Sequence, residues 1–208
     1  MIDESSRLRL RPSVAMVPIG DERWQFFLGN TRRSRHYRLR QDLASAVAQM
    51  DGHATLAEIA GRTGSDLHGL EALARTLHAS CIVEDDGFAQ RLASSPWRRV
   101  LNFIGDYVPS DAVEIAFKRL SETEVLILGA GAVGSWVASQ LCHSGVERLT
   151  LVDDDTVAMS NLNRSLYTLP DVGQPKVDAL TRRLRAINPR LTVRQRRQCM
   201  TDANELLG

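Results

Sequence analysis

Residues 125–155, VLILGAGAVGSWVASQLCHSGVERLTLVDDD, constrain the fold more than any other stretch of this chain. The four apolar residues 125–128 predict a strand covered on both faces, as in the centre of a parallel sheet. Gly129, Gly131 and Gly134 then form G-x-G-x-x-G between that strand and a helix. In this context each glycine serves a separate end: a tight turn, close approach of backbone to a phosphate, and close packing of helix on strand, with the helix N-terminus facing the anion. The helix is expected to run to about residue 144 and to stop near Gly145, leading into the strand LTLVD. Asp153 ends that strand about 20 residues past the glycines, where a carboxylate can accept hydrogen bonds from both ribose hydroxyls. A nucleotide is therefore expected, although a nicotinamide dinucleotide and ATP can both use such a turn.

The rest of the chain sets limits on that expectation. It has 208 residues, 43% hydrophobic and 25% charged, enough for one large domain or two small ones. The net charge of +1 makes no general electrostatic claim on nucleic acid or an acidic membrane. No stretch approaches the roughly 20 apolar residues of a transmembrane helix, and the opening MIDESSRLRLRP lacks the apolar core of a signal peptide, so a cytoplasmic location is expected. Cys81, Cys142 and Cys199 stand far apart, with no Cys-x-x-Cys pair for zinc, and are read as reduced thiols; no metal ligand set is assigned.

The N-terminal part has a different grammar. RLRLRPSVAMVPIG, RWQFFLGN and RHYRLR alternate like strands and are punctuated by proline, glycine and asparagine, which predicts three short antiparallel strands between residues 8 and 39. The period then changes to helical in DLASAVAQM, in TLAEIAGRTG with Thr55 and Glu58 spaced as a capping box, and in DLHGLEALARTLHAS with Leu67, Leu70, Leu73 and Leu77 as its stripe. CIVEDDG reads as a short returning strand. Three strands and three helices over residues 1–93 make a winged-helix-like domain, whose usual partner is DNA. Twelve arginines against twelve acidic residues in 1–95 oppose that reading. Residues 94–123 read as a linker with one helix from about 110 to 120, and Ser94-Ser95-Pro96 as the boundary.

Two resemblances refine this picture. The order of strands and helices closing on HATLAEIAGRTGSDLHGLEALARTLHASCIVEDDG resembles the PqqD-like leader-recognition domains of ribosomal-peptide biosynthesis. That resemblance implies capture of a precursor's leader peptide by strand addition beside the third strand and against the third helix. On this chain the implied contacts are Arg35, His36, Tyr37, Arg38 and Leu39 with Leu70, Leu73, Arg75 and Leu77. Behind the glycine turn, D-x-D-x-V-x-x-S-N-L-x-R and G-Q-P-K over residues 124–189 resemble the ThiF/MoeB adenylating family, to which ubiquitin-activating and microcin-type peptide-adenylating enzymes belong.

The second resemblance implies that Gly129, Gly131 and Gly134 line ATP, that Asp153 holds the ribose, and that Asn161, Arg164 and Lys176 surround the triphosphate, with Mg2+ as companion ion. Asp155 is either a loop-capping carboxylate or a nucleotide contact. Arg164 and Lys176 are the expected catalytic cations, because negative charge grows on departing pyrophosphate when a carboxylate attacks the α-phosphorus. An arginine from the start of the family's domain, Arg98 or Arg99 here, is a further candidate.

The fold class expected is thus α/β: the winged-helix-like domain plus a partial Rossmann-like parallel sheet with helices, residues 124–208 being the N-terminal half of a nucleotide-binding domain. The chain is expected to end at DANELLG as its next helix begins. The function expected is a leader-peptide-binding, ATP-dependent adenylating component of ribosomal-peptide biosynthesis, catalytic if a missing half-domain is supplied. The alternative is a non-catalytic scaffold that delivers the precursor to a YcaO-type cyclodehydratase. A nicotinamide oxidoreductase explains the glycines and Asp153 and leaves SNLNR and GQPK unexplained. Partners expected are a precursor peptide and a homodimer mate or modifying enzyme, with neither nucleic acid nor membrane. The seven arginines between 182 and 197 read as a solvated helix and strand.

Overall fold

The computed structural model describes residues 2–199. The chain is mixed α/β, with antiparallel strands toward its N-terminus and a parallel sheet with helices toward its C-terminus, in two compact units, Met1–Ala116 and Phe117–Gly208. The expected final helix, at residues 202–208, lies outside the described residues. No helix of the described residues is long and apolar enough to cross a membrane.

In the first unit, β1 (Leu8–Leu10) is followed by a meander of β2 (Val14–Gly20), β3 (Arg23–Leu28) and β4 (Arg33–Arg38). The sequence segment 8–20 was expected to be one strand and is two. Pro12 cannot donate to a ladder, and Arg11 is buried against Glu84 at 3.0 Å, which holds β1 to β5 (Val83–Asp85) instead of to the meander. Helices α1 (Gln41–Ala48), α2 (Leu56–Thr63) and α3 (Leu67–Ala79) follow as expected. The capping box of α2 is present: the Thr55 hydroxyl accepts from the Glu58 N–H at 3.2 Å, the Glu58 carboxylate from the Thr55 N–H at 2.9 Å, and Gly64 closes the helix at φ +69°. Phe26, Leu28, Leu56, Ile59, Leu70, Ala74 and Leu77 join in one core.

The stretch read as a linker is more structured than expected. Helix α4 (Asp86–Ala93), capped by Asp85, and α5 (Arg98–Gly105) precede α6 (Val113–Glu122), and residues up to Ala116 belong to the first unit. Each of α4 and α5 spans only eight residues, too short a window for periodicity to be read.

The second unit is a parallel sheet in the order β6 (Glu124–Leu128), β7 (Arg148–Val152), β8 (Thr192–Arg196), with α7 (Ala132–His143) and α8 (Lys176–Ile187) as crossovers. Its core gathers Ile127, Ala138, Cys142, Leu149, Leu151, Leu180 and Leu184. The strand that the sequence placed at the centre is an edge among the described residues: β7 lies in the middle, while Leu126 and Leu128 of β6 are 42% and 51% exposed. An apolar run records which positions avoid water in a completed sheet, and it cannot say on which side the neighbours stand.

Candidate nucleotide site

The glycine turn is built as its spacing requires, with a different reason at each position. Gly129 lies at φ +87°, a conformation other residues adopt only with strain. A Cβ on Gly134 would overlap the carbonyl oxygen of Gly129, so that α7 can rise this close to β6 only on a glycine. Gly131 has neither constraint: its φ is −77° and a Cβ there would meet no protein atom within 4 Å. This leaves free space above Gly131, at the N-terminus of α7.

Asp153 closes the turn from below. Its carboxylate accepts from the Ala130 N–H at 2.7 Å and from the Asp155 N–H at 2.9 Å, and its side chain is 8% exposed. The loop after β7 then doubles back. Val157 N–H donates to Gln174, Gly173 N–H to Val157, and Lys176 N–H to Asp155 at 3.0 Å, which lays residues 155–157 beside 173–176. Two motifs twenty residues apart thereby become one site. The Lys176 ammonium sits 2.6 Å from Asp155 and 3.8 Å from Asp153, with the lysine side chain only 10% exposed. A cation in the first turn of α8 opposes the positive end of that helix, and a nearly buried lysine is tolerated only when paired. Lys176 goes against the first of these preferences and meets the second through Asp155 and Asp153. The carboxylates of Asp153, Asp154 and Asp155 lie within 4.8 Å of one another, the last two exposed.

Asn161 ends the 3-10 turn Met159–Asn161, and Arg164 lies three residues beyond it. Asn161 accepts from the Ala158 N–H at 3.0 Å. The exposed Arg164 donates to the Ser160 carbonyl at 2.5 Å and to Asn163 at 3.1 Å. Among the described residues no hydrogen bond or ion pair joins these two to Lys176, so the expected triphosphate cluster is present as two groups: Asp153, Asp155 and Lys176 in one, Asn161 and Arg164 in the other. The side chains of Asn161 and Arg164 must leave their own loop to reach a phosphate.

Three residues that sequence reading missed hold that loop against the glycine turn. Trp136 Nε1–H donates to the Arg164 carbonyl at 3.2 Å, the Ser135 hydroxyl accepts from the Leu166 N–H at 3.3 Å, and the Tyr167 hydroxyl reaches the carbonyls of Ala130 at 2.6 Å and Lys176 at 3.3 Å. Burial, with Asp153 and Asp171 nearby, pushes the Tyr167 hydroxyl far above its ordinary range, so it stays a donor. A tyrosine within the mixed stretch NLNRSLYTLPD carries no signal in the sequence that sets it apart from any other tyrosine. Tyr167→Phe is expected to cost about 1–2 kcal/mol by stripping two buried carbonyls of a donor, and to loosen Lys176 and the turn together. An unchanged melting temperature in a thermal melt refutes this role.

Cys142 is buried, donates to the Leu184 carbonyl at 3.3 Å, and burial pushes its thiol up. The arginine run of 182–197 is largely used at home: Arg182 and Arg183 pair with the buried Asp171, Arg190 with Glu147, Arg194 with Glu124 and Arg197 with Asp178.

In the first unit the expected peptide contacts divide. Arg35, His36 and Arg38 are exposed on β4, the last strand of its sheet. Tyr37 packs edge-on against Phe26 at 5.5 Å and donates to Ser80 at 3.0 Å, and Leu73 is half-buried against the core. Arg75 donates to the Ile2 carbonyl at 2.9 Å and pairs with Glu71. Leu39, Leu70 and Leu77 are 4%, 0% and 0% exposed and cannot touch a peptide without opening the core. The helical stripe that drew attention to them is the core-facing one.

Residues 106–207 match the ThiF family. The chain contains a ThiF family domain. It is 48% identical over 77 residues to the tRNA threonylcarbamoyladenosine dehydratase of Bacillus subtilis, and 40% identical over 90 residues to the sulfur carrier protein adenylyltransferase of Thermus thermophilus. These matches cover 36% and 43% of this chain and 30% and 33% of those proteins, so the matched ThiF domain spans about a third of either relative. Among solved structures, E. coli MccB superposes with a TM-score of 0.73 at 18% identity, over 96% of this chain and 58% of that one. MccB has been solved with ATP and with MccA. That likeness shows a shared fold along nearly the whole described chain, the ThiF domain included.

Proposed function

We propose that this chain is a leader-peptide-binding, ATP-dependent adenylating component of ribosomal-peptide biosynthesis. The first unit, in the manner of PqqD-like domains, holds a precursor peptide along β4 and α3. The ThiF domain binds ATP with Mg2+ on its phosphates, the ribose at Asp153, the phosphates over Gly131 and beside Lys176, with Asn161 and Arg164 turning in from their loop. A carboxylate oxygen of the peptide attacks the α-phosphorus, the bond to the bridging oxygen breaks, and pyrophosphate departs with the electron pair, leaving an acyl-adenylate. The two cations act where that charge develops, and tethering by the leader raises the local concentration of the reacting end.

The observation that carries the reading is the nearly buried Lys176, set between Asp153 and Asp155 beneath a glycine turn with open space at Gly131. The extent of the likeness to MccB and the adenylyltransferase among the relatives support it. Peptide-dependent exchange of labelled pyrophosphate into ATP is expected, and Arg164→Ala should lower it at least about 100-fold, as loss of one charge-stabilising donor does. Exchange that survives this substitution removes Arg164 from the reaction.

One observation favours a second reading, that of a scaffold delivering its precursor to a YcaO-type cyclodehydratase: the Arg164 guanidinium is spent on its own loop. Peptide binding by a chain that ignores ATP supports the scaffold.

A further inference from the structure

The free edge of β4 differs from the rest of the first unit in charge. No acidic residue occurs between Glu22 and Asp42, a span with arginines at 23, 32, 33, 35, 38 and 40. Elsewhere in the unit, Arg9, Arg11, Arg75 and Arg91 each pair with a carboxylate. Arg32, Arg35 and Arg38 pair with none among the described residues, and Arg33 lies instead over the ring of Tyr107, 5.9 Å from its centroid.

The backbone of this strand is as open as its charges. In the order β2–β3–β4 it is the terminal strand, and none of the main-chain hydrogen bonds outside the ladders involves residues 33–38. Alternate residues of an antiparallel edge turn their N–H and C=O groups away from the neighbouring strand. Register tells which side chains flank an added strand. Arg33, Arg35 and Tyr37 stand opposite Leu28, Phe26 and Trp24, on the face turned toward the core, whereas Ser34, His36 and Arg38 stand on the other. On the core side the edge is continued by Phe103 and Tyr107, 60% and 52% exposed with ring centroids 5.2 Å apart.

We propose that this edge takes an extended acidic segment, its main chain pairing with β4, its carboxylates alternating to meet Arg33 and Arg35 on one face and Arg38 on the other. The inference rests on the reading of the first unit as a peptide-recognition unit and names the chemistry of its peptide. A second copy of β4 is a poor occupant, because edge-to-edge pairing sets arginines against arginines. Nucleic acid is a poor one because the unit as a whole balances its charges, twelve arginines to twelve acidic residues over 1–95.

Short fluorescent peptides in which single threonines separate pairs of glutamates, glutamines or lysines, so that charges stand on both faces of the strand, test this by anisotropy with the intact chain. The glutamate peptide should bind about tenfold more tightly than the glutamine peptide, as two or three exposed ion pairs allow, and the lysine peptide should not saturate. N-methylation of every backbone amide in the glutamate peptide, which blocks both of its edges, should abolish binding, and the unmethylated glutamate peptide should slow amide exchange of residues 34–38. Arg35→Gln with Arg38→Gln should bring the glutamate peptide to the level of the glutamine one and leave the latter unchanged. Equal affinity for glutamate and glutamine peptides, with residues 34–38 protected, overturns the acidic preference while strand addition stands. Binding that survives N-methylation, without protection of β4, overturns this inference as ion exchange on an arginine-rich surface. Failure of every peptide overturns both the inference and the peptide-recognition reading.

Discussion

Lys176→Ala is expected to weaken Mg·ATP binding at least about 30-fold, the low end of the 2–5 kcal/mol lost when one member of a buried charge pair is truncated. The reason is electrostatic. The lysine is the cation that stands between Asp153 and Asp155, at 3.8 and 2.6 Å, with Asp154 close by. Without it, a polyphosphate must approach three carboxylates that nothing nearby offsets. Lys176→Arg should recover only part of the affinity, because a planar guanidinium does not fit a space where the lysine side chain is 10% exposed. Calorimetric titration of the parent and both variants decides the matter. Equal affinity in Lys176→Ala would falsify the placement of the phosphates beside this residue, and a parent chain that does not bind Mg·ATP removes the site assignment as a whole.

The glycine turn should separate stability from binding within one motif. Gly134→Ala is expected to cost about 3 kcal/mol, at the upper end of what overpacking costs, because the new methyl group overlaps the Gly129 carbonyl and backbone cannot step aside as a side chain can. Gly131→Ala should change stability by less than about 0.5 kcal/mol, since its backbone is ordinary and its surroundings are empty. It should nevertheless lower nucleotide affinity about tenfold by filling the space over the turn. Chemical denaturation followed by circular dichroism, paired with the same titrations, reads both quantities. A Gly131→Ala chain that binds ATP as the parent does would show that the nucleotide lies elsewhere.

Much of this was legible in the residues, and the reasons differ from place to place. The glycine turn and the capping box of α2 could be read because each depends on contacts within a few residues, and Asp153, 23 residues from the Ala130 N–H it accepts from, because a strand–turn–helix–strand unit fixes that separation. The stretch from Asp153 to Arg164 and GQPK were legible as a resemblance, but the junction of Asp155 and Val157 with GQPK depends on the pairing of residues 155–157 with 173–176, which no local pattern reports. Trp136 and Tyr167 act by donating to backbone carbonyls, and a carbonyl carries no side-chain identity that a sequence could advertise. Leu70 and Leu77 misled for a related reason: a stripe shows that one face of a helix is apolar, and it is silent on whether core or partner covers it. The helices α4 and α5 span eight residues each, shorter than the window over which a helical period can be counted.

The hydrogen bond from Ala130 N–H to Asp153 also fixes a length. On the proposed assignment, the carboxylate that receives the sugar is fastened at 2.7 Å to the same turn that receives the phosphates, and Tyr167 fastens that turn to the residue bearing the ammonium. The protein thus carries a ruler between sugar and polyphosphate, set before any ligand arrives. On that assignment, a molecule that offers the right groups at the wrong separation would meet a spacing held by the chain's own hydrogen bonds, and selection by length would come with the fold.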